Sequence, residues 1–182
     1  MTRRQVLKRR SLFNYMIPVT MMMAMTVDGK IAKNKTQFAD WTSREDKKLF
    51  VEISKAQGVI MMGENTFKTF PAPLKDRLNV VFSENENPPA IEGVKWVKGE
   101  PTDVLIELEK MGYKSALLGG GSFLNSLFLE KKLISEIILT VEPKIFGTGL
   151  SLFNKDLDAN LKLLEIKNLN ENTLMLRYQV IY

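Results

Sequence analysis

The chain of 182 residues carries a net charge of +5, has no cysteine and no histidine, and is 45% hydrophobic. That is enough apolar material for the core of one domain, and the missing residue types exclude disulfides, thiolate chemistry, Cys-ligated metal and histidine acid–base work. Catalysis, where there is any, rests on carboxylates, lysine, tyrosine or a bound cofactor, and no metal site is expected.

The charge is local. Arg3, Arg4, Lys8, Arg9 and Arg10 fall in the first fourteen residues, which contain no acid, so the remainder is formally neutral. It offers no obvious groove for a phosphate backbone, and no nucleic-acid partner is expected. Thr2-Arg3-Arg4-Gln5-Val6-Leu7-Lys8 is similar to a twin-arginine export signal, but the apolar run from Met16 to Val27 reads better as the first strand of a domain. Residues 1–15 are therefore expected to be a disordered basic extension, and residues 16–182 one domain. No apolar stretch approaches the ~20 residues that span a bilayer. The expectation is a soluble, cytoplasmic protein with no membrane partner.

In chain order, Ile17 to Met25 has the Val, Thr and Met content of a buried strand, turned by Thr26-Val27-Asp28-Gly29-Lys30 into a polar loop that runs to Asp40. Ser43 is an N-cap candidate for a helix with Leu49, Phe50, Ile53 and Ala56 on one face. Gly58 to Gly63 reads as a second strand, Glu64 to about Phe70 as a short helix broken by Pro71-Ala72-Pro73, and Leu78 to Ser83 and Val94 to Val97 as further strands. Val104, Leu105, Leu108 and Met111 mark a helix ended by Gly112. Ala116-Leu117-Leu118, three glycines, and Phe123, Leu124, Leu127 and Phe128 at helical spacing then read as strand, tight corner and helix. Ser135 to Val141 is another strand, and Leu161 to Ile166 with Leu174 to Ile181 a closing hairpin.

Strands alternating with single helices imply crossovers and a largely parallel sheet covered on both faces, with an antiparallel edge from the hairpin. Ligands of such sheets bind beyond the carboxyl ends of the strands. The glycine corner suits a phosphate or pyrophosphate, because the backbone can approach closely and a helix N-terminus presents free N–H groups. The segment matches neither G-x-G-x-x-G nor a P-loop.

Trp41, Asp46 and Phe50, the run Met62-Gly63-Glu64-Asn65-Thr66-Phe67, the stretch from Pro73 to Ser83, Gly119-Gly120-Gly121 and Leu139-Thr140 occur in one order over Ile17 to Tyr182. In this the chain resembles the dihydrofolate reductase superfamily. The resemblance implies an α/β fold of three layers, an eight-stranded mixed, mostly parallel sheet with flanking helices. It also implies hydride transfer from NADPH, with NADH possible, to a C=N bond of a small pterin-like substrate, most of all dihydrofolate to tetrahydrofolate. Asp46 takes the catalytic role by this resemblance, holding the 2-amino-4-oxo edge of the ring and favouring its protonation; Ala24, Trp41, Phe50, Phe70, Leu74, Arg77 and Thr140 line the substrate. Arg77 resembles the arginine that grips the folate carboxylate, and Thr140 the threonine linked to the acid through water. The cofactor would be held by Ala24, Ile31, Gly63, Glu64, Asn65, Thr66, Phe82, Ser83, Lys98, Leu118, Gly119, Gly120, Gly121, Ser122, Phe123 and Leu124. Without the resemblance, Asp46 is simply the third residue after a capping serine.

Two residues depart from the pattern. Glu64 stands where the family often has a phosphate-gripping arginine, and Glu84 where it often has a hydroxyl, which implies weakened NADPH preference. A second branch competes: Thr26 to Ala32, Pro143 to Gly149 and Leu176-Arg177-Tyr178-Gln179-Val180 are similar to the reductases of riboflavin biosynthesis, which act on 5-amino-6-(5-phosphoribosylamino)uracil. That likeness makes a homodimer as open as a monomer. A third reading is a catalytically silent pterin or nucleotide binder.

Overall fold

The computed structural model describes residues 16–182; the basic extension expected over residues 1–15 lies outside the described residues. The elements in chain order are β1 (Val19–Thr26), β2 (Lys30–Ala32), a 3-10 turn (Ala39–Trp41), α1 (Arg44–Gln57), β3 (Val59–Gly63), α2 (Glu64–Phe67), β4 (Leu78–Phe82), β5 (Val94–Val97), α3 (Pro101–Lys110), β6 (Ala116–Leu118), α4 (Ser122–Glu130), β7 (Ile134–Glu142), β8 (Leu150–Ser151), β9 (Asn160–Asn168) and β10 (Leu174–Ile181).

The main sheet has eight strands in the order β5-β4-β3-β6-β1-β7-β10-β9. The pairs from β5 through β7 are parallel, and β10 joins β7 and β9 antiparallel. Because successive side chains point to opposite faces, the apolar runs divide between two cores. Val19, Met21, Val59, Met61, Val80, Ala116, Leu118 and Phe128 belong to one. Met22, Ile60, Met62, Val81 and Leu117 belong to the other, packed against Leu49, Phe50 and Ile53 of α1. Continuous apolar strands are what a sheet buried on both faces requires. At its far edge β9 is exposed along its whole length.

Each helix starts and stops for local reasons. Ser43 caps α1 by accepting from the Asp46 N–H, and Gly58 ends it in the left-handed conformation. Pro101 opens α3 in the first turn, where its missing N–H costs nothing. α2 stops at Phe67, three residues short of the expected Phe70, and gives way to turns ahead of Pro71. On α1, Ala56 faces solvent while Ser54 is buried, its hydroxyl donating to the Phe50 carbonyl. The apolar stripe is thus narrower than its spacing suggests.

The expected polar loop after β1 contains a strand. β2 pairs with β8 in a two-stranded ribbon. Strands this short carry too little pattern to read in sequence. The ribbon closes tightly on Gly149: a Cβ there would stand 2.5 Å from the Ala32 carbonyl oxygen and 3.2 Å from Phe146 Cβ. Gly149→Ala is expected to force β2 and β8 apart and to destabilise the fold by about 1–3 kcal/mol. The midpoint of urea unfolding measures this, and an unchanged midpoint would show that the ribbon yields freely.

Candidate functional site

A cleft of about 1470 Å³ runs along the carboxyl ends of the parallel strands. Pockets for one small ligand usually occupy about 300–1,000 Å³, so there is room for two molecules end to end. The sheet order sets the order of its wall: Ala24 from β1, Gly119 and Gly121 after β6, Gly63 and Glu64 at the end of β3, Phe82, Ser83 and Glu84 at the end of β4, and Lys98 after β5. With neighbouring strands roughly 4.8 Å apart, four strand spacings extend this row to about 19 Å.

At one end stand Trp41 of the 3-10 turn and Asp46 and Phe50 of α1, with Phe70 and Leu74 beside Phe50. The rings of Phe50 and Phe70 are stacked, with centroids 6.2 Å apart and planes 11° from parallel. Asp46 is only 6% exposed. Burial pushes its carboxyl above the ordinary aspartate range; the hydroxyls of Thr42 and Thr140 pull it down, and the nearby Glu142 charge adds to the rise. Thr140 is fully buried beside Ala24 in the β1–β7 register and does not itself line the cleft. Its Oγ1 makes no ordinary hydrogen bond within the described chain, so its influence on Asp46 acts at longer range.

Glu142 is a functional candidate that the sequence reading missed. It is 3% exposed; its Oε1 accepts from Ser43 N at 2.7 Å and Ser43 Oγ at 2.8 Å, and its Oε2 accepts from Thr173 Oγ1 at 3.2 Å. One carboxylate so fastens the capping residue of α1 to the end of β7 and to the β9–β10 turn. The available signal was an acid directly after the apolar run of a buried strand, where a bare charge is costly.

Two turn motifs singled out in the sequence meet here. The Asp28 carboxylate accepts from Thr26 Oγ1 at 2.5 Å, Phe146 N at 3.2 Å and Gly147 N at 2.7 Å. These bonds, the Thr26 hydroxyl first, hold the exposed Asp28 carboxyl below its usual range. Phe146 in turn packs edge-on against Trp41, with centroids 5.0 Å apart.

The middle of the row is the glycine corner. Gly63 N donates to the Gly120 carbonyl at 2.9 Å and Gly119 N to the Met61 carbonyl at 2.8 Å, which joins the ends of β3 and β6. Gly120 has φ +91°, and a Cβ there would meet Met23 Sδ at 2.8 Å. Only glycine fits. Gly121 is the N-cap of α4 and brings no capping side chain, so the first N–H groups of that helix have no side-chain acceptor from the cap. Ser122, Phe123 and Leu124 of its first turn line the cleft, and the Ser122 hydroxyl donates to the Ser151 carbonyl.

Of the other residues expected at the site, Ile31, Asn65 and Thr66 also line the cleft. Leu118 and Gly120 support it from behind without lining it. Arg77 departs from expectation. It does not line the cleft; its guanidinium donates to the Ser54 hydroxyl and, at 2.9 Å, to the Lys75 carbonyl. The buried Ser54 hydroxyl draws this side chain onto the back of α1. Among the described residues no group of three or more His, Cys, Asp and Glu side chains is placed to hold a metal, and no helix is long and apolar enough to cross a membrane.

Comparison with known proteins bears on the fold and the family. The chain is 23% identical over 141 residues to the uncharacterized protein YwjB of Bacillus subtilis, covering 73% of this chain and 80% of that one. A bifunctional diaminohydroxyphosphoribosylaminopyrimidine deaminase and 5-amino-6-(5-phosphoribosylamino)uracil reductase of Thermotoga maritima superposes with a TM-score of 0.73 at 18% identity; the match covers 97% of this chain and 61% of that longer protein. The dihydrofolate reductase of Enterococcus faecalis, solved with NADP(H) and RAB-propyl, gives a TM-score of 0.68 at 20% identity, over 90% of this chain and 96% of that one. Both share the overall fold. The RibD C-terminal domain model matches residues 18–175, and the chain belongs to that family.

Proposed function

We propose that this protein reduces a C=N bond of a pyrimidine- or pterin-bearing small molecule with hydride from NADPH or NADH. The observation that carries the reading is the placing of a buried carboxyl, Asp46, in the same cleft as an unobstructed glycine corner and an uncapped helix start. The corner fits a pyrophosphate: side chains are absent where the backbone must approach, and α4 offers N–H donors and the positive end of its dipole. A bound nicotinamide supplies the hydride.

The chain's own residues supply position and a proton. Gly119 and Gly121 with the first turn of α4 would hold the dinucleotide, and Ala24 and Ile31, which line the same cleft, would border its nicotinamide. Phe50, Phe70 and Leu74 hold the flat ring by apolar contact. Asp46 accepts from the ring N–H and exocyclic amino group when ionised; when protonated it donates to the nitrogen of the C=N bond. Hydride would add to the carbon and the proton to the nitrogen, turning the double bond into CH–NH; in the pyrimidine phosphate that double bond is the imine formed when the ribosylamine ring opens. Its raised pKa keeps a proton on Asp46 to a higher pH than an exposed aspartate would hold one.

Between the two substrate classes, the position of Arg77 favours 5-amino-6-(5-phosphoribosylamino)uracil over dihydrofolate. With Arg77 turned onto Ser54, the cations lining the cleft besides Lys98 are Lys35 and Lys47, which serve a flexible phosphate as point charges better than they grip a planar carboxylate. Family membership supports the same choice.

Loss of absorbance at 340 nm with each candidate substrate tests the proposal. Oxidation is expected with the pyrimidine phosphate and little with dihydrofolate; the reverse would restore the folate reading, and none with either would leave a binder. Asp46→Asn is expected to lower turnover about 10²–10⁴-fold while leaving the dissociation constant of the dinucleotide unchanged. The same substitution reports on stability. A carboxyl with a folded pKa above its unfolded value contributes most below the ordinary aspartate value of 3.8 and loses that contribution as pH rises through the folded pKa. Asp46→Asn is therefore expected to melt higher than the parent at neutral pH and to converge with it in acid, each 1 kcal/mol reading as about 2–4 °C in Tm.

A further inference from the structure

The far end of the cleft, beyond the glycine corner, is lined by Glu64, Ser83, Glu84 and Lys98. If the pyrophosphate lies at Gly119 to Gly121 and the nicotinamide toward Ala24, the sheet order carries the second ribose to these four residues. Groups that would welcome a 2′-phosphate here are already engaged. The Ser83 hydroxyl donates to Glu64 Oε2 at 2.5 Å, and Lys68 pairs with Glu64 Oε1 at 2.7 Å. The Lys98 ammonium is bonded to Glu86 and stands 3.6 Å from Glu84 Oε2. Three carboxylates thus face two ammonium groups, leaving this end with one net negative charge. No arginine lines any part of the cleft among the described residues.

A phosphate ester brings about −1.5 to −2 charges at neutral pH, so a 2′-phosphate would meet like charge and would have to break the Ser83–Glu64 bond or draw Lys98 from its acids. A free 2′-hydroxyl has the opposite character, since it donates, and a fixed carboxylate at a ribose accepts from it. Glu64 is held for that task from two sides: it is 25% exposed, and Ser83 and Lys68 fix both of its oxygens without using all of their lone pairs. We infer that Glu64, with Glu84 and Glu86 holding Lys98, makes this cleft select the dinucleotide with a free 2′-hydroxyl, NADH, over NADPH.

This inference rests on the reductase reading, and equilibrium binding separates the two. The full-length protein is titrated with NADH and with NADPH, following quenching of Trp41 and Trp96 fluorescence, at low and high salt. NADH is expected to bind at least tenfold more tightly, and added salt to strengthen NADPH binding by screening the repulsion. Glu64→Arg is expected to reverse the order of affinities and the sign of the salt effect. Equal affinities, or NADPH tighter in the parent protein, would overturn the selectivity while leaving a dinucleotide cleft in place. Binding of neither would overturn both readings. Because the parent protein alone decides the order, a Glu64→Arg variant that fails to fold leaves the test intact.

Discussion

The site depends on one buried carboxylate that does no chemistry in the proposal. Glu142, at the end of β7, accepts from both the backbone N–H and the hydroxyl of Ser43, and Ser43 in turn caps α1 through the Asp46 N–H. Burying an acid that is 3% exposed is unfavourable unless its oxygens are satisfied, and here three donors satisfy them. The arrangement is rigid for that reason. A cap alone would fix the first turn of the helix relative to itself; tying the cap to the sheet fixes Asp46 relative to Ala24 and the strand ends. The same closeness sets Glu142's charge beside Asp46 and helps hold a proton there, so structural anchoring and acid–base tuning share one interaction.

The parallel half of the sheet makes the cleft possible. Five strand ends from β5 to β1 terminate on one side, and side chains that follow them form a row with no insertion between. The two cores, one on each face, leave the strands no freedom to slide, since a one-residue slip would exchange Met61 for Met62 or Val80 for Val81 across the sheet. Gly63 and Gly119 add bonds exactly where the row would otherwise part.

Much of this was legible in the sequence because both faces of the sheet are buried: apolar runs such as Val59 to Met62 and Ala116 to Leu118 have no other stable use. The glycine corner and Asp46 were legible for a related reason, since a triple glycine between strand and helix and an acid behind a capping serine are local patterns. What escaped was made by long-range contacts. β2 and β8 hold three and two residues and are brought together by contacts such as those of Asp28 with the Phe146–Gly147 backbone. Glu142 is 99 residues from Ser43, and nothing near either one announces the other. Arg77 shows the converse failure: its sequence register suits a ligand, but Ser54, one position in a helix face expected to be apolar, supplies a competing acceptor.

The charges of the cleft follow opposite rules at its two ends, which argues for two different recognition tasks. At the Asp46 end the acid is desolvated, its pKa is raised by that burial, and the apolar rings of Phe50 and Phe70 lower the local dielectric, so a small change in a ligand's hydrogen bonding is felt strongly. At the Glu64 end the acids are solvated and paired, and the hydrogen bond to Lys68 holds the Glu64 carboxyl below its ordinary range. An acid of that kind stays ionised through the neutral range and acts as a fixed acceptor, unable to exchange a proton with a ligand. In the proposed reaction the aspartate would transfer a proton and the glutamate would only bind, the two being separated by a corner with no side chains at all. That sequence of environments is what a reaction needs when one ligand is to be chemically changed and the other only held and oriented.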